Sequence, residues 1–294
     1  MVFWSPEGDV KMVRNFEQIL EKVKGQGRKK LAVPAPRSRR VFQLLEEAQR
    51  TGLINPVMVG EGGEDQPIGA DVIAEAVTMA RNGEIDMLFQ GDAELKDFID
   101  VVTAKEDGIA EKDSLSYISI FELPSEDRLV MLTDTLIQSF PDIKQKVRIL
   151  DNAIDFAGVL GIENPKIAVL SSVELVNFRV PSSVDAAVLS KMSERRQLKG
   201  IIDGPLDIDC ASSGERARRK GLESPVAGHA DIYLLPDIEA GYSTAEVLAF
   251  FGRTTLAGTL MGTEVPVILN CRFESSYSLL LDIAIASLRL HSRA

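Results

Sequence analysis

Two cysteines, two histidines and an aromatic content of 6 % are what this 294-residue chain has least of. Cys210 and Cys271 form no CxxC pair, which argues against a structural zinc site or a disulfide framework and fits a reducing compartment. Of the histidines, His229 falls in a Gly-His-Ala-Asp turn and His291 near the end. A Ser–His–Asp set would have to rest on His229, and no nucleophile-elbow motif supports one. Neither GxGxxG nor a Walker sequence occurs, so nucleotide binding of those kinds has no support. Net charge is −11, which disfavours general nucleic-acid binding while leaving room for a local basic pocket. No apolar run is long enough to span a bilayer, and the opening MVFWSPEGDVKMVRN lacks the charged-then-apolar pattern of a signal peptide. The expectation is a soluble, cytoplasmic protein with no nucleic-acid or membrane partner. Scarce aromatics leave aliphatic side chains to fill the core, as in parallel sheets covered by helices.

The chain is long enough for one large domain or two modest ones. Short aliphatic runs alternate with helical patterns, which predicts an α/β protein with a mainly parallel sheet. Helices are expected at 16–24, 38–51, 73–82, 95–104, 181–199 and 275–290, and strands at 30–33, 56–60, 87–90, 166–171, 201–203, 232–235 and 265–269. Ile143, Val147, Leu150, Ile154 and Ala157 mark one face of a further long helix. Segments 117–122 and 128–133 read as two adjacent strands able to pair antiparallel. They interrupt the alternation, so a domain boundary is placed there.

Ligands of parallel α/β sheets bind beyond the carboxyl ends of strands, and three such turns carry chemistry. In Asn270-Cys271-Arg272-Phe273-Glu274-Ser275-Ser276 a strand delivers a guanidinium and serines open a helix. The fork of Arg272 and the helix N-terminus could hold an anion; equally, a serine could be an N-cap and Arg272 an ion-pair partner. In Pro236-Asp237-Ile238-Glu239-Ala240-Gly241-Tyr242, two carboxylates precede a glycine and a hydroxyl-capped helix. They could orient an arginine or a thiol-bearing substrate, or Asp237 could cap a turn while Glu239 is solvated. Asp203, Asp207 and Asp209 could bind a divalent ion, but their spacing misses the calcium-loop pattern, and a polar-capped turn is the better reading.

At these turns the sequence resembles the phosphate acetyl/butyryltransferase family, closest to its butyryl branch. The resemblance is dense in GIENPKIAVLSSVELVN (161–177), PSSVDAAVLSKM (181–192), IIDGPLDIDCA (201–211), SPVAGHADIYLLPDIEAG (224–241) and NCRFESS (270–276). It is thinner through 31–62 and 132–153, and covers nearly the whole chain after the first dozen residues. It implies a two-domain fold similar to isocitrate and isopropylmalate dehydrogenases, with a cleft between 1–122 plus 259–294 and 123–258, usually as a homodimer. The implied reaction is acyl-CoA plus phosphate to acyl phosphate plus free CoA, without metal or tightly held cofactor. Arg272 matches the family's turn arginine and would hold the phosphoryl group. Glu274 would act as base or orienting group and Cys271 stands where serine is usual. Asn270, Ser275, Ser276, Asp237, Glu239, Gly241 and Thr133 would contact substrate.

Several positions depart from the family's pattern. Gln90 stands for a lysine, Ala110-Glu111-Lys112 for Arg-Thr-Gly, Tyr242 for an asparagine and Ser278 for an aspartate. Arg37, Arg39 and Arg40 could restore charge from another direction, or form a solvated face. The alternative reading is a member of the family that binds CoA or an acyl phosphate without turnover.

Overall fold

A computed structural model describes residues 12–60, 67–111, 115–123, 126–271 and 275–292. Ten strands form one sheet: β1 (Lys29–Pro34), β2 (Ile54–Val59), β3 (Met87–Phe89), β4 (Ser116–Leu123), β5 (Arg128–Thr133), β6 (Lys166–Leu170), β7 (Ile201–Leu206), β8 (Ile232–Leu234), β9 (Leu256–Met261) and β10 (Val267–Ile268). Their order is β2-β1-β3-β10-β9-β4-β5-β8-β6-β7. β2, β1, β3 and β10 run parallel to one another, as do β5, β8, β6 and β7. Between these blocks β9 is antiparallel to both β10 and β4, and β4 to β5, so the two parallel blocks run in opposite directions. The protein is thus mixed α/β with a mostly parallel sheet, and 117–122 and 128–133 do pair antiparallel.

Alternation along the strands sorts side chains between two faces. On one face Leu31, Val33, Met87, Phe89, Ile118, Ile120, Ile167 and Val169 join one continuous core. It is covered by α1 (Phe16–Val23), α2 (Arg39–Arg50), α5 (Ile143–Val159), α6 (Pro181–Glu194) and α10 (Ser276–Ser292). The opposite face carries two separate clusters. Ala32, Leu88, Tyr117 and Leu260 pack beneath α3 (Ala70–Arg81) and α4 (Leu95–Val102). Val130, Leu132, Ala168 and Tyr233 pack beneath α7 (Ile208–Ser212), α8 (Gly214–Arg219) and α9 (Ile238–Phe250).

Local signals explain the helices well. Asp142 opens α5 with a capping box: its carboxylate accepts from the amides of Lys144 and Gln145, and Gln145 Oε1 accepts from the amide of Asp142. Helix α10 is buried continuously from Ser278 to Arg289, as its apolar circumference implies. Its polar groups stitch it to β9: Asp282 Oδ1 accepts from Gly258 N at 2.6 Å, and Arg289 Nη1 donates to Leu260 O at 2.7 Å.

Several elements differ from the sequence reading. Helix α6 stops at Glu194 rather than reaching 199, because Arg196 turns left-handed (φ 59°). Helix α9 begins at Ile238, capped by Asp237, so Ser243 and Thr244 lie inside it rather than at its cap. Strand β9 was not anticipated, since Gly258 and Thr259 break its apolar run; α7 and α8 are too short to show a period. No helix among the described residues is long and apolar enough to cross a membrane.

Candidate active site

A cavity of about 460 Å³ lies where the α3/α4 cluster meets α9. Its lining joins the turn after β3 (Gln90 to Leu95), the turn after β10 (Leu269 to Cys271), Leu136, Arg40 and Tyr242. Its size is that of an ordinary small-molecule site.

Two strand ends are locked together at its base. Gln90, 6 % exposed, accepts the Asn270 amide through Oε1 at 2.9 Å and donates Nε2 to Ala93 O at 2.7 Å. Asn270 returns the contact, donating Nδ2 to Gly91 O at 2.8 Å. Gly91 has φ 61°, and a Cβ there would stand 2.8 Å from Val33 Cγ1, so only glycine fits that turn. Where a lysine was expected, a neutral carboxamide therefore bridges two backbone turns. On the next turn Asp92 Oδ2 accepts from the amides of Arg37 (2.7 Å) and Ser38 (2.9 Å), fixing the N-terminus of α2. Ser38 caps that helix, which sets Arg40 in the lining while Arg39 is exposed.

The facing elements are held by Asp134. This buried carboxylate accepts from the amides of Tyr117 (3.2 Å), Leu136 (2.8 Å) and Ile137 (3.0 Å) through Oδ1 and of Gln138 (3.0 Å) through Oδ2. Burial raises its pKa above the usual carboxylate range, and the four amides partly oppose that rise. Helix α9 docks on the same segment. A Cβ on Gly241 would stand 2.2 Å from Asp134 O, so the glycine permits the close approach and places Tyr242 beside it.

The remaining expected site residues fall as follows. Arg272 and Glu274 lie outside the described residues, as does Lys112. Cys271 is 6 % exposed in the lining, its Sγ 3.6 Å from the Tyr117 hydroxyl. Ser275 Oγ accepts the Ser278 amide at 3.0 Å and so caps α10, with Ser276 the exposed first residue. Ser278 is buried against Ser275. Asp237 spends its carboxylate on the Ala240 amide at 2.9 Å, and Glu239 is exposed. Thr133 is fully buried, its hydroxyl donated to Tyr117 O at 3.2 Å. Ala110 pairs with Thr263 in an isolated bridge. Gln90's bridging role, Asp92, Asp134 and Leu136 were missed. For Asp134 the signal was present: a carboxylate directly after a strand end, inside the resembling stretch 132–153.

The acidic turn is self-contained. Glu174, Asp207 and Cys210 offer ligand atoms within 4.8 Å of one another, but Lys220 Nζ lies 2.5 Å from Glu174 and 2.6 Å from Asp207. Asp207 also caps α7, accepting from the Cys210 amide. Burial opposes its ionisation, yet Lys220 and that amide bring it down to about 2. Burial first, then Asp207, pushes the Cys210 thiol up to about 11. Asp203 accepts from Gly204 and Ser190, and Asp209 pairs with Arg216. These carboxylates are thus matched by the protein's own donors.

Comparison with known proteins follows this geometry. The family described as phosphate acetyl/butaryl transferase matches residues 64–287. A phosphate butyryltransferase of Clostridium acetobutylicum is 36 % identical over 94 % of this chain and 98 % of its own. The crystal structure of a branched-chain phosphotransacylase from Enterococcus faecalis V583 superposes with a TM-score of 0.78 at 27 % identity, covering 90 % of this chain and 99 % of that one. A 4-hydroxythreonine-4-phosphate dehydrogenase from Burkholderia phymatum reaches a TM-score of 0.50 at 16 % identity over 96 % of each chain, a likeness of fold alone.

Proposed function

Because the chain belongs to the phosphate acetyl/butyryltransferase family, we propose that it transfers a short or branched acyl group between CoA and inorganic phosphate. A phosphate oxygen attacks the thioester carbonyl carbon; the C–O bond forms, the C–S bond breaks, and the CoA sulfur leaves as a thiolate that takes up a proton. The reverse regenerates acyl-CoA from acyl phosphate. Such a reaction needs alignment of two anionic substrates and neutralisation of charge rather than a resident metal or cofactor.

The observation that carries this reading is the cavity itself, where Asn270, Cys271 and Tyr242, from two of the turns singled out in the sequence, meet the turn after β3. Asn270 and Gln90 hold the turn that leads to Arg272, to which we assign the phosphoryl group, with Glu274 as base or orienting group. Arg40 contributes cationic lining from α2. Cys271 offers a thiol, a poorer hydrogen-bond donor than a serine hydroxyl. The proposal includes a cytoplasmic setting, the division into 1–122 plus 259–294 and 123–258, and a homodimer. The homodimer is motivated by exposed apolar side chains at two places, Leu175 with Phe178 and Phe250 with Phe251, since exposed apolar surface of this kind marks protein contacts.

The test is release of free thiol from acetyl-, butyryl- and isobutyryl-CoA. Release that depends on added phosphate is expected. Its absence with all three esters rejects the assignment.

A further inference from the structure

The cavity is divided in character. Among the described residues its charged lining, Arg40, Asp92 and Glu94, comes from the segments that follow β1 and β3. The loop after β5 and helix α9 contribute no charge to the lining and supply Leu136 and Tyr242 instead. Arg40, the one cation of that lining among the described residues, is the partner for a phosphate or the CoA tail. The Leu136 and Tyr242 side, with no charge of its own, is left for the uncharged part of the substrate.

That side is also rigid. Asp134 ties the amides of Leu136, Ile137 and Gln138 to one carboxylate, so the Leu136 backbone cannot drift. Gly241 seats α9 directly on Asp134 O, so the helix turn carrying Tyr242 is fixed against the same segment. Discrimination by methylene count requires a wall that does not yield. The phenol ring offers a broad apolar face while its hydroxyl can stay wet. Both side chains are half-buried, leaving surface for a ligand to cover.

Taking the acyl-transfer reading as its basis, we propose that Tyr242, together with Leu136, is the acyl-chain wall that makes a four-carbon acyl group a better substrate than acetyl. Tyr242 acts here as a specificity-determining residue whose ring covers the outer methylenes. Each methylene moved from water onto such a wall is worth about fourfold in binding, so the two that separate butyryl from acetyl give a preference of about fifteenfold.

The experiment compares butyryl-CoA with acetyl-CoA for the full chain and for Tyr242→Asn and Leu136→Ala. It uses kcat/KM in the phosphate-dependent assay and, separately, dissociation constants from calorimetry without phosphate. Thermal melts show that each variant is folded, and the second variant stands in if the first is not. The parent should favour butyryl-CoA by about tenfold or more, and each variant should cut that ratio by about fourfold or more. A parent ratio near one, or variants that leave the ratio unchanged or raise it, overturns the wall. Turnover with an unaltered ratio sinks this inference alone. A butyryl-CoA binding preference that the variants remove, with no turnover of any ester, sinks acyl transfer and upholds the wall. Failure to bind either ester sinks both.

Discussion

Gly241→Ala puts the docking of α9 to a direct test. A Cβ at this position would stand 2.2 Å from Asp134 O and 3.0 Å from Thr135 Cα. Contacts below 3.0 Å are essentially never made by a real Cβ, and the atoms met are backbone, so no rotamer change relieves them. Either α9 or the Asp134 segment must retreat by most of an ångström. Overpacking of this kind costs about 1–3 kcal/mol. Alanine in place of glycine within a helix returns about 0.5–1 kcal/mol, so the net loss is at most about 2.5 kcal/mol. At about 2–4 °C per kcal/mol for a chain somewhat smaller than this one, the melting temperature should fall by a few degrees. Catalysis should suffer more than stability, because the displaced segments carry Leu136 and Tyr242 into the cavity. A 1 Å misplacement can cost about 100-fold in rate, and kcat/KM in the phosphate-dependent assay should drop by at least about tenfold. An alanine variant as stable as the parent, with kcat/KM within about twofold, refutes the claim that this close contact positions the site.

Gln90→Lys returns a positive charge to the base of the cavity but removes the acceptor of the Asn270 amide. With that buried donor unpaired it should lower unfolding free energy by about 1–3 kcal/mol in urea titration; unchanged stability would show that the bridge is dispensable. Burial raises the Asp134 carboxyl in the folded protein, so its protonated form favours folding. Its contribution is full below the unfolded value near about 3.9 and is lost as pH rises through the raised folded value. The stability of Asp134→Asn relative to the parent should therefore improve as pH rises above about 4, and parallel pH profiles would contradict this.

The helices that open beyond β8 and β10 were legible because their signals are local, whereas the turn after β3 was not singled out. The Asp237-capped α9 follows β8 and the Ser275-capped α10 follows β10, and the capping box of α5 is likewise contained in four residues. What escaped is held by distant partners. Gln90 was read as a missing lysine, and only the arrival of Asn270, 180 positions away, turns it into a bridge. Asp134 is the exception: three of its four donors, the amides of Leu136, Ile137 and Gln138, are local, and only that of Tyr117 comes from a distant strand. The overlong α6 came from helical periodicity that runs on past a left-handed Arg196, which composition does not announce. Asp237 was open between orienting a substrate and capping, and its carboxylate is used by the helix it starts.

Strands β9 and β10 occupy the middle of the sheet although they come late in the chain, with β3 and β4 as their neighbours. During synthesis on the ribosome, residues 1–255 therefore emerge with the two inner edges facing a gap that nothing yet fills. The nascent polypeptide must keep β3 and β4 from pairing wrongly until the last two strands arrive. Final closure of the sheet, and with it the turn that bears Asn270 and Cys271, is a late event. Truncated or stalled products should accordingly be aggregation-prone clients of chaperones rather than partly working enzymes.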